Sequence, residues 1–95
     1  MAYVVCAKWT AKPGEEERIA RICAELTEPS RAEPGNHFYQ AHRAPENARV
    51  FFLYEQYDDA AAYEAHMASE HFTRLAKGEA IPNLESRERE FYETL

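Results

Sequence analysis

The sequence predicts an α+β domain, a four-stranded antiparallel sheet with two helices on one face, in the order β-α-β-β-α-β. Three observations carry this expectation. Turn-forming residues cut the chain at Lys12-Pro13-Gly14, Glu33-Pro34-Gly35, Pro45-Glu46-Asn47, Asp58-Asp59, Lys77-Gly78 and Ile81-Pro82-Asn83. Between these cuts, apolar residues recur at helical spacing in some segments and with strand character in the others. Finally, Val50-Phe51-Phe52-Leu53-Tyr54 is apolar at consecutive positions, so both faces of that strand call for burial. Two helices can cover only one face of the sheet. A chain of 95 residues has nothing left for the other face except a second copy of itself, which predicts a homodimer.

Each element has its own justification. Tyr3 to Ala11 reads as a strand, with Lys8 and Thr10 alternating against Ala7, Trp9 and Ala11. Gly14 to Glu28 reads as a helix whose Ile19, Ile22, Cys23 and Leu26 form one apolar stripe. Glu15, Glu16 and Glu17 suit its first turn, where the helix dipole favours negative charge. Pro29 lacks an N–H and is expected to end or kink it. Asn36 to Arg43 and Arg49 to Tyr57 read as strands joined by a hairpin loop over Ala44 to Ala48. Asp58 or Asp59 can cap a helix from Ala60 to Ala68. Ser69 can start a further turn through Phe72 and Leu75 that stops at Gly78. Glu85 to Tyr92 is a weaker last strand. The whole chain, residues 1–95, reads as one domain with its core over about residues 3–92.

Composition excludes several functions. A formal net charge of −6 argues against a nucleic-acid partner and against an anionic membrane surface. No segment approaches the ~20 apolar residues of a membrane span. The first residues lack a basic stretch followed by a long apolar run, so the expected compartment is the cytoplasm. Cys6 and Cys23 read as buried free thiols, and without a Cys-x-x-Cys pair neither a redox nor a zinc motif is present. Gly14, Gly35 and Gly78 are isolated and make no phosphate loop.

Among residues that carry chemistry, His66 stands out. Tyr63, His66 and Met67 share a helical face, which turns His66 toward the sheet. There it can be a neutral, hydrogen-bonded core residue or a proton acceptor, since burial disfavours the charged imidazolium. His71 reads as a capping or surface residue near the start of the next turn. His37 and His42 have opposite strand parity, so the four histidines do not form one cluster and no metal is expected. Trp9, Tyr54, Tyr63 and Phe72 belong to a plentiful aromatic set that can be core or can line a cavity for a flat ligand. Glu55 interrupts the third strand and, if it faces inward, needs a partner such as Arg43 or Lys8.

Several runs resemble the antibiotic biosynthesis monooxygenase family. They are Trp9-Thr10-Ala11-Lys12-Pro13-Gly14-Glu15, Glu33-Pro34-Gly35 with Tyr39, Leu53-Tyr54-Glu55-Gln56-Tyr57-Asp58-Asp59, and Ala65-His66-Met67-Ala68-Ser69-Glu70-His71-Phe72. The resemblance implies a ferredoxin-like fold paired into a dimeric α+β barrel. It further implies oxidation of a small phenolic or quinol-type aromatic substrate by O2 with no metal, flavin or other cofactor. His66 carries over as the pocket histidine and is the expected catalytic residue, and Glu55 and Tyr54 carry over as pocket or interface residues. Trp9, Tyr63, Phe72 and His71, from the reading of the residues themselves, are expected beside Tyr54 and Glu55 as substrate-binding residues. Haem-degrading relatives place a histidine about ten residues beyond the position of His66; Ala76 and Lys77 stand there, which speaks against haem. Asn36, His37, Phe38 and the charged run Ser86-Arg87-Glu88-Arg89-Glu90 depart from the family pattern. The alternative reading is a non-catalytic, small-ligand-binding or stress-related dimer of the same fold.

Overall fold

A computed structural model describes residues 1–95. Its strands are β1 (Tyr3–Ala11), β2 (Asn36–Arg43), β3 (Val50–Tyr57) and β4 (Leu84–Glu93), and its helices are α1 (Glu16–Arg31) and α2 (Ala60–Ala68). A π-helical segment (Phe72–Ala80) and one 3-10 turn (Ile81–Asn83) lead from α2 into β4. The sheet order is β2-β3-β1-β4 with every pair antiparallel, the expected ferredoxin-like arrangement.

The strand period decides what each face does. Val5, Ala7, Trp9 and Ala11 of β1 point to the helices, as do Phe51, Leu53, Glu55 and Tyr57 of β3. Against them lies the α1 stripe, with Ile19, Ile22, Cys23 and Leu26 all buried. Each such aliphatic side chain contributes about 1.5–3 kcal/mol on burial. The opposite face carries Val4, Cys6, Phe38, Phe52 and Tyr54; Val4 is buried by its neighbours, but no helix of the chain lies over this face. Phe38 is 46% and Phe52 38% exposed.

Four sequence expectations change. α1 runs past Pro29 to Arg31. Proline forfeits one hydrogen bond in the last turn, and the helix ends two residues later instead of at the ring. α1 also starts at Glu16, because Gly14 takes φ 89° in the preceding turn, a conformation that glycine adopts freely. The segment after Ser69 does not stop at Gly78 but continues to Ala80, which lets Phe72, Leu75, Ala76 and Ala80 all bury. Cys6 is a free thiol but only half-buried, on the outer face of the sheet. Cys23 is a free core thiol that burial pushes up to about 12, so it is inert as a nucleophile.

The charged last strand acquires a simple pattern. Arg87 and Arg89 pair across from Trp9 and Ala7 and share their helix-facing side, while Glu88 and Glu90 pair with Lys8 and Cys6 on the outer side. Arg89 Nη1 donates to the Tyr63 hydroxyl at 3.1 Å, tying β4 to α2.

Candidate active site

Asp59 begins the site, because its carboxylate accepts from the Ala62 amide at 2.9 Å and so fixes the start of α2. From that start the helix presents Tyr63 and His66 to the sheet, both buried. His71 lies five residues beyond His66, which on a continuous α-helix would set the two side chains about 140° apart. The chain does not continue as one helix. Ser69 takes extended backbone angles (φ −66°, ψ 159°), its hydroxyl donates to the His66 carbonyl at 2.6 Å, and its oxygen accepts from the Phe72 amide at 3.2 Å. This break re-aims the following turn and brings the two imidazole rings to 5.9 Å between centres.

A carboxylate joins them. Glu33 sits in the turn between α1 and β2, and its Oε2 accepts from His66 Nδ1 at 2.7 Å and from His71 Nε2 at 2.6 Å. Gly35 allows that turn to lie against α2: a Cβ there would fall 2.6 Å from the Ala62 Cβ. The cluster is largely enclosed, with side-chain exposures of 2% for His66, 14% for Glu33 and 16% for His71. Glu33 Oε1 is buried without a hydrogen-bond partner.

On its far side His66 meets a second carboxylate. Its Nε2 lies 3.8 Å from Glu55 Oε1, too far for a hydrogen bond, and that same oxygen accepts from the Tyr57 hydroxyl at 2.6 Å. Burial raises the Glu55 carboxyl above the usual carboxylate range; the Tyr57 hydrogen bond and His66 oppose the shift. Burial, then the Glu55 charge, pushes the Tyr57 phenol upward, and burial does the same to Tyr39. Rings close the remaining sides: Phe72 at 5.1 Å, Tyr57 at 5.4 Å, Tyr39 at 5.8 Å and Tyr63 at 6.0 Å from the His66 ring centre.

The expected site residues therefore separate. His66, Glu55, Tyr63, Phe72 and His71 gather in one place. Tyr54 does not, because its parity puts it on the outer face, edge-on to Phe38 at 5.7 Å. Trp9 faces the helices but lies two same-face positions along β1 from Val5, the partner of Glu55. Glu55 does face inward, but Tyr57 and His66 take the place expected of Arg43 or Lys8. Lys8 is on the other face, and Arg43 stacks on Phe51 at 4.9 Å. The four histidines do not form one cluster, as expected, since His37 pairs with Asp58 and His42 contacts the Phe52 carbonyl. Two of them nevertheless meet with Glu33, which the parity of the strand histidines could not reveal.

Glu33 and Arg87 were not foreseen as site residues, and Tyr39 and Tyr57 belong to the plentiful aromatic set without having been singled out. Trp9 Nε1 and Arg87 Nε are buried donors without partners, carried by directly opposed residues of β1 and β4. Burial, then Arg89, lowers the Arg87 guanidinium. No cavity opens on His66. The largest, about 310 Å³, lies between α1 and β2 and is lined by Cys23, Thr27, Gln40, His42 and Arg43 among others. It touches none of the His66 cluster, and we place the candidate chemistry at the histidines because enclosed titratable groups converge there.

With this geometry in view, comparison with known proteins is decisive. The model of the antibiotic biosynthesis monooxygenase family matches residues 2–78. The chain belongs to that family. A solved structure from Pseudomonas aeruginosa is 33% identical with a TM-score of 0.91, covering 99% of this chain and 94% of its own. A structure described as an antibiotic biosynthesis monooxygenase is 26% identical with a TM-score of 0.89, covering 100% and 99% respectively. One from Shewanella oneidensis is 24% identical with a TM-score of 0.89 over 98% of this chain and 90% of its own, a likeness of fold alone. No curated protein matches. The matched region contains Glu33, His66 and His71 and stops before β4, so Arg87 and Arg89 lie outside it. No helix is long and apolar enough to cross a membrane.

Proposed function

We propose that this member of the family is a homodimeric monooxygenase that oxidises a small phenolic or quinol-type aromatic compound with O2 and needs no bound cofactor. The observation that carries the proposal is a buried imidazole held through Nδ1 by Glu33 and surrounded by aromatic rings. A donated Nδ1–H leaves Nε2 as the acceptor nitrogen, the tautomer a general base requires. Deprotonation of a phenol yields an anion rich enough in electrons to reduce O2 itself. The protein then supplies the base, orientation and exclusion of water. Glu33 and His71 link the base to solvent. The uncovered apolar face of the sheet supports the homodimer.

Oxygen uptake with a panel of quinols, in buffer freed of metal, tests the reaction. His66→Ala is expected to lower turnover per folded molecule by roughly 10²–10⁴-fold. An unchanged corrected rate would leave His66 with a structural role alone. A second reading, a non-catalytic small-ligand-binding dimer, is favoured by one specific feature: the aromatic rings pack closed around His66 and leave no cavity there. Absence of oxygen uptake across the panel, with saturable binding of the same compounds, would select that reading.

A further inference from the structure

We propose that Glu33, His66 and His71 form a binding site for a divalent transition-metal ion of the zinc–cobalt–iron class. Their candidate ligand atoms, Glu33 Oε2, His66 Nδ1 and His71 Nε2, all lie within 4.8 Å of one another. Two imidazoles and one carboxylate make a donor set suited to this class of ion, whereas calcium and magnesium prefer oxygen alone. Metal–ligand bonds of about 2.0–2.2 Å require ligand atoms roughly 3.0–3.5 Å apart. The present separations of 2.7 and 2.6 Å to Glu33 need to open by roughly 0.3–0.9 Å to reach that spacing. Rotation of the His71 ring, the more exposed of the two, can set the third edge. Glu33 Oε1, buried and without a partner, is free to bind the ion as well.

The surroundings supply a second, independent argument. A histidine that binds metal commonly donates its other N–H to a carboxylate, which fixes the tautomer. Glu55 stands on the far side of His66 for this purpose, and Tyr57 holds it there. Without metal, Nδ1 carries the proton and Nε2 faces Glu55 as a bare nitrogen at 3.8 Å, beyond hydrogen-bond range. With metal on Nδ1, the proton resides on Nε2 and meets an acceptor already in place. The ion thus takes the place of the proton on Nδ1, and that proton stays on the same ring at Nε2. Ion binding stands independently of the proposed reaction. If that reaction occurs, the loaded form is inactive, because the ion moves the proton onto the nitrogen that serves as base.

The test is titration of the metal-free protein with Co2+, read by its visible absorption, and with Zn2+, read by calorimetry. One ion per chain is expected, with histidine-nitrogen ligation in the cobalt spectrum. His71→Ala, at the more exposed ligand, is expected to weaken binding by at least about 100-fold and Glu55→Gln by roughly 10–100-fold. His37→Ala, on the separate surface pair with Asp58, is expected to leave affinity unchanged. Failure of the wild-type protein to bind either ion would overturn the site, as would His71→Ala binding as tightly as wild type. Neither result depends on oxygen uptake, so the site and the reaction fail separately.

Discussion

Glu33→Ala removes one acceptor shared by two imidazole donors, and its cost follows from how enclosed each donor is. The side chain of His66 is 2% exposed, so water does not replace the lost acceptor and the orphaned N–H costs about 1–3 kcal/mol. His71 is 16% exposed and can turn to solvent, which limits its loss to about 0.5–1.5 kcal/mol. Against these, the substitution deletes Glu33 Oε1, a buried acceptor without a partner, and relieves about 1 kcal/mol. The net expectation is a loss of about 0.5–3.5 kcal/mol. At roughly 4–8 °C per kcal/mol for a chain of this size, the melting temperature should fall by about 2–28 °C. Urea unfolding followed by Trp9 fluorescence measures the free energy, and thermal circular dichroism the midpoint. Both need chelator and matched protein concentration, because ion binding and self-association each shift apparent stability. A loss below about 0.5 kcal/mol would refute the reasoning, since it would mean that neither histidine relies on Glu33.

Other expectations follow from the same geometry. The raised Glu55 carboxyl makes stability fall as pH climbs from the unfolded glutamate value of about 4.3 through the folded one, because the folded state holds the proton longer. Glu55→Gln keeps an acceptor for Tyr57 and abolishes this fall, so its stability relative to wild type should grow with pH over that range in parallel urea titrations; a pH-independent difference would contradict the burial argument. Gly35→Ala places a Cβ 2.6 Å from that of Ala62 and should destabilise by about 1–3 kcal/mol; an unaltered urea midpoint would show that the turn can shift freely. Phe52→Glu puts a charge at the centre of the uncovered sheet face and should convert dimer to monomer in sedimentation at micromolar concentration, whereas an intact dimer would place the interface elsewhere.

Much of the fold was legible because alternation and punctuation agree. β1 and β2 take the expected bounds, Tyr3–Ala11 and Asn36–Arg43, since each is a strand-like run set off by proline or glycine. The α1 stripe was legible for the same reason. Local rules failed where tertiary packing outweighed them. Pro29 costs one hydrogen bond, but Ser30 beyond it is fully buried, so packing carries the helix forward. Likewise Gly78 does not stop the π-helical segment, because ending there would strip Ala80 from the core.

The candidate site was half legible, and the missing half has a common cause. His66 could be placed because helical spacing from Tyr63 fixes its direction. His71 could not, because its direction depends on the extended Ser69, and a serine reads equally well as a helix start or an interior residue. Glu33 could not, because a carboxylate beside Pro34-Gly35 reads as turn chemistry until the turn is seen to lie on α2. The directions of His71 and Glu33 are thus set by breaks in periodicity. Such breaks are where a chain can aim side chains in directions that a helix or strand alone forbids, so three donors converge where regular structure would have spread them. If convergence is the purpose of these breaks, restoring regular helix at Ser69 should scatter the donors without unfolding the sheet. Ser69→Ala removes both hydroxyl contacts that hold the break. It is expected to weaken Co2+ binding while leaving the sheet's circular dichroism intact; undiminished binding would show that the backbone, not the serine, sets the aim of His71.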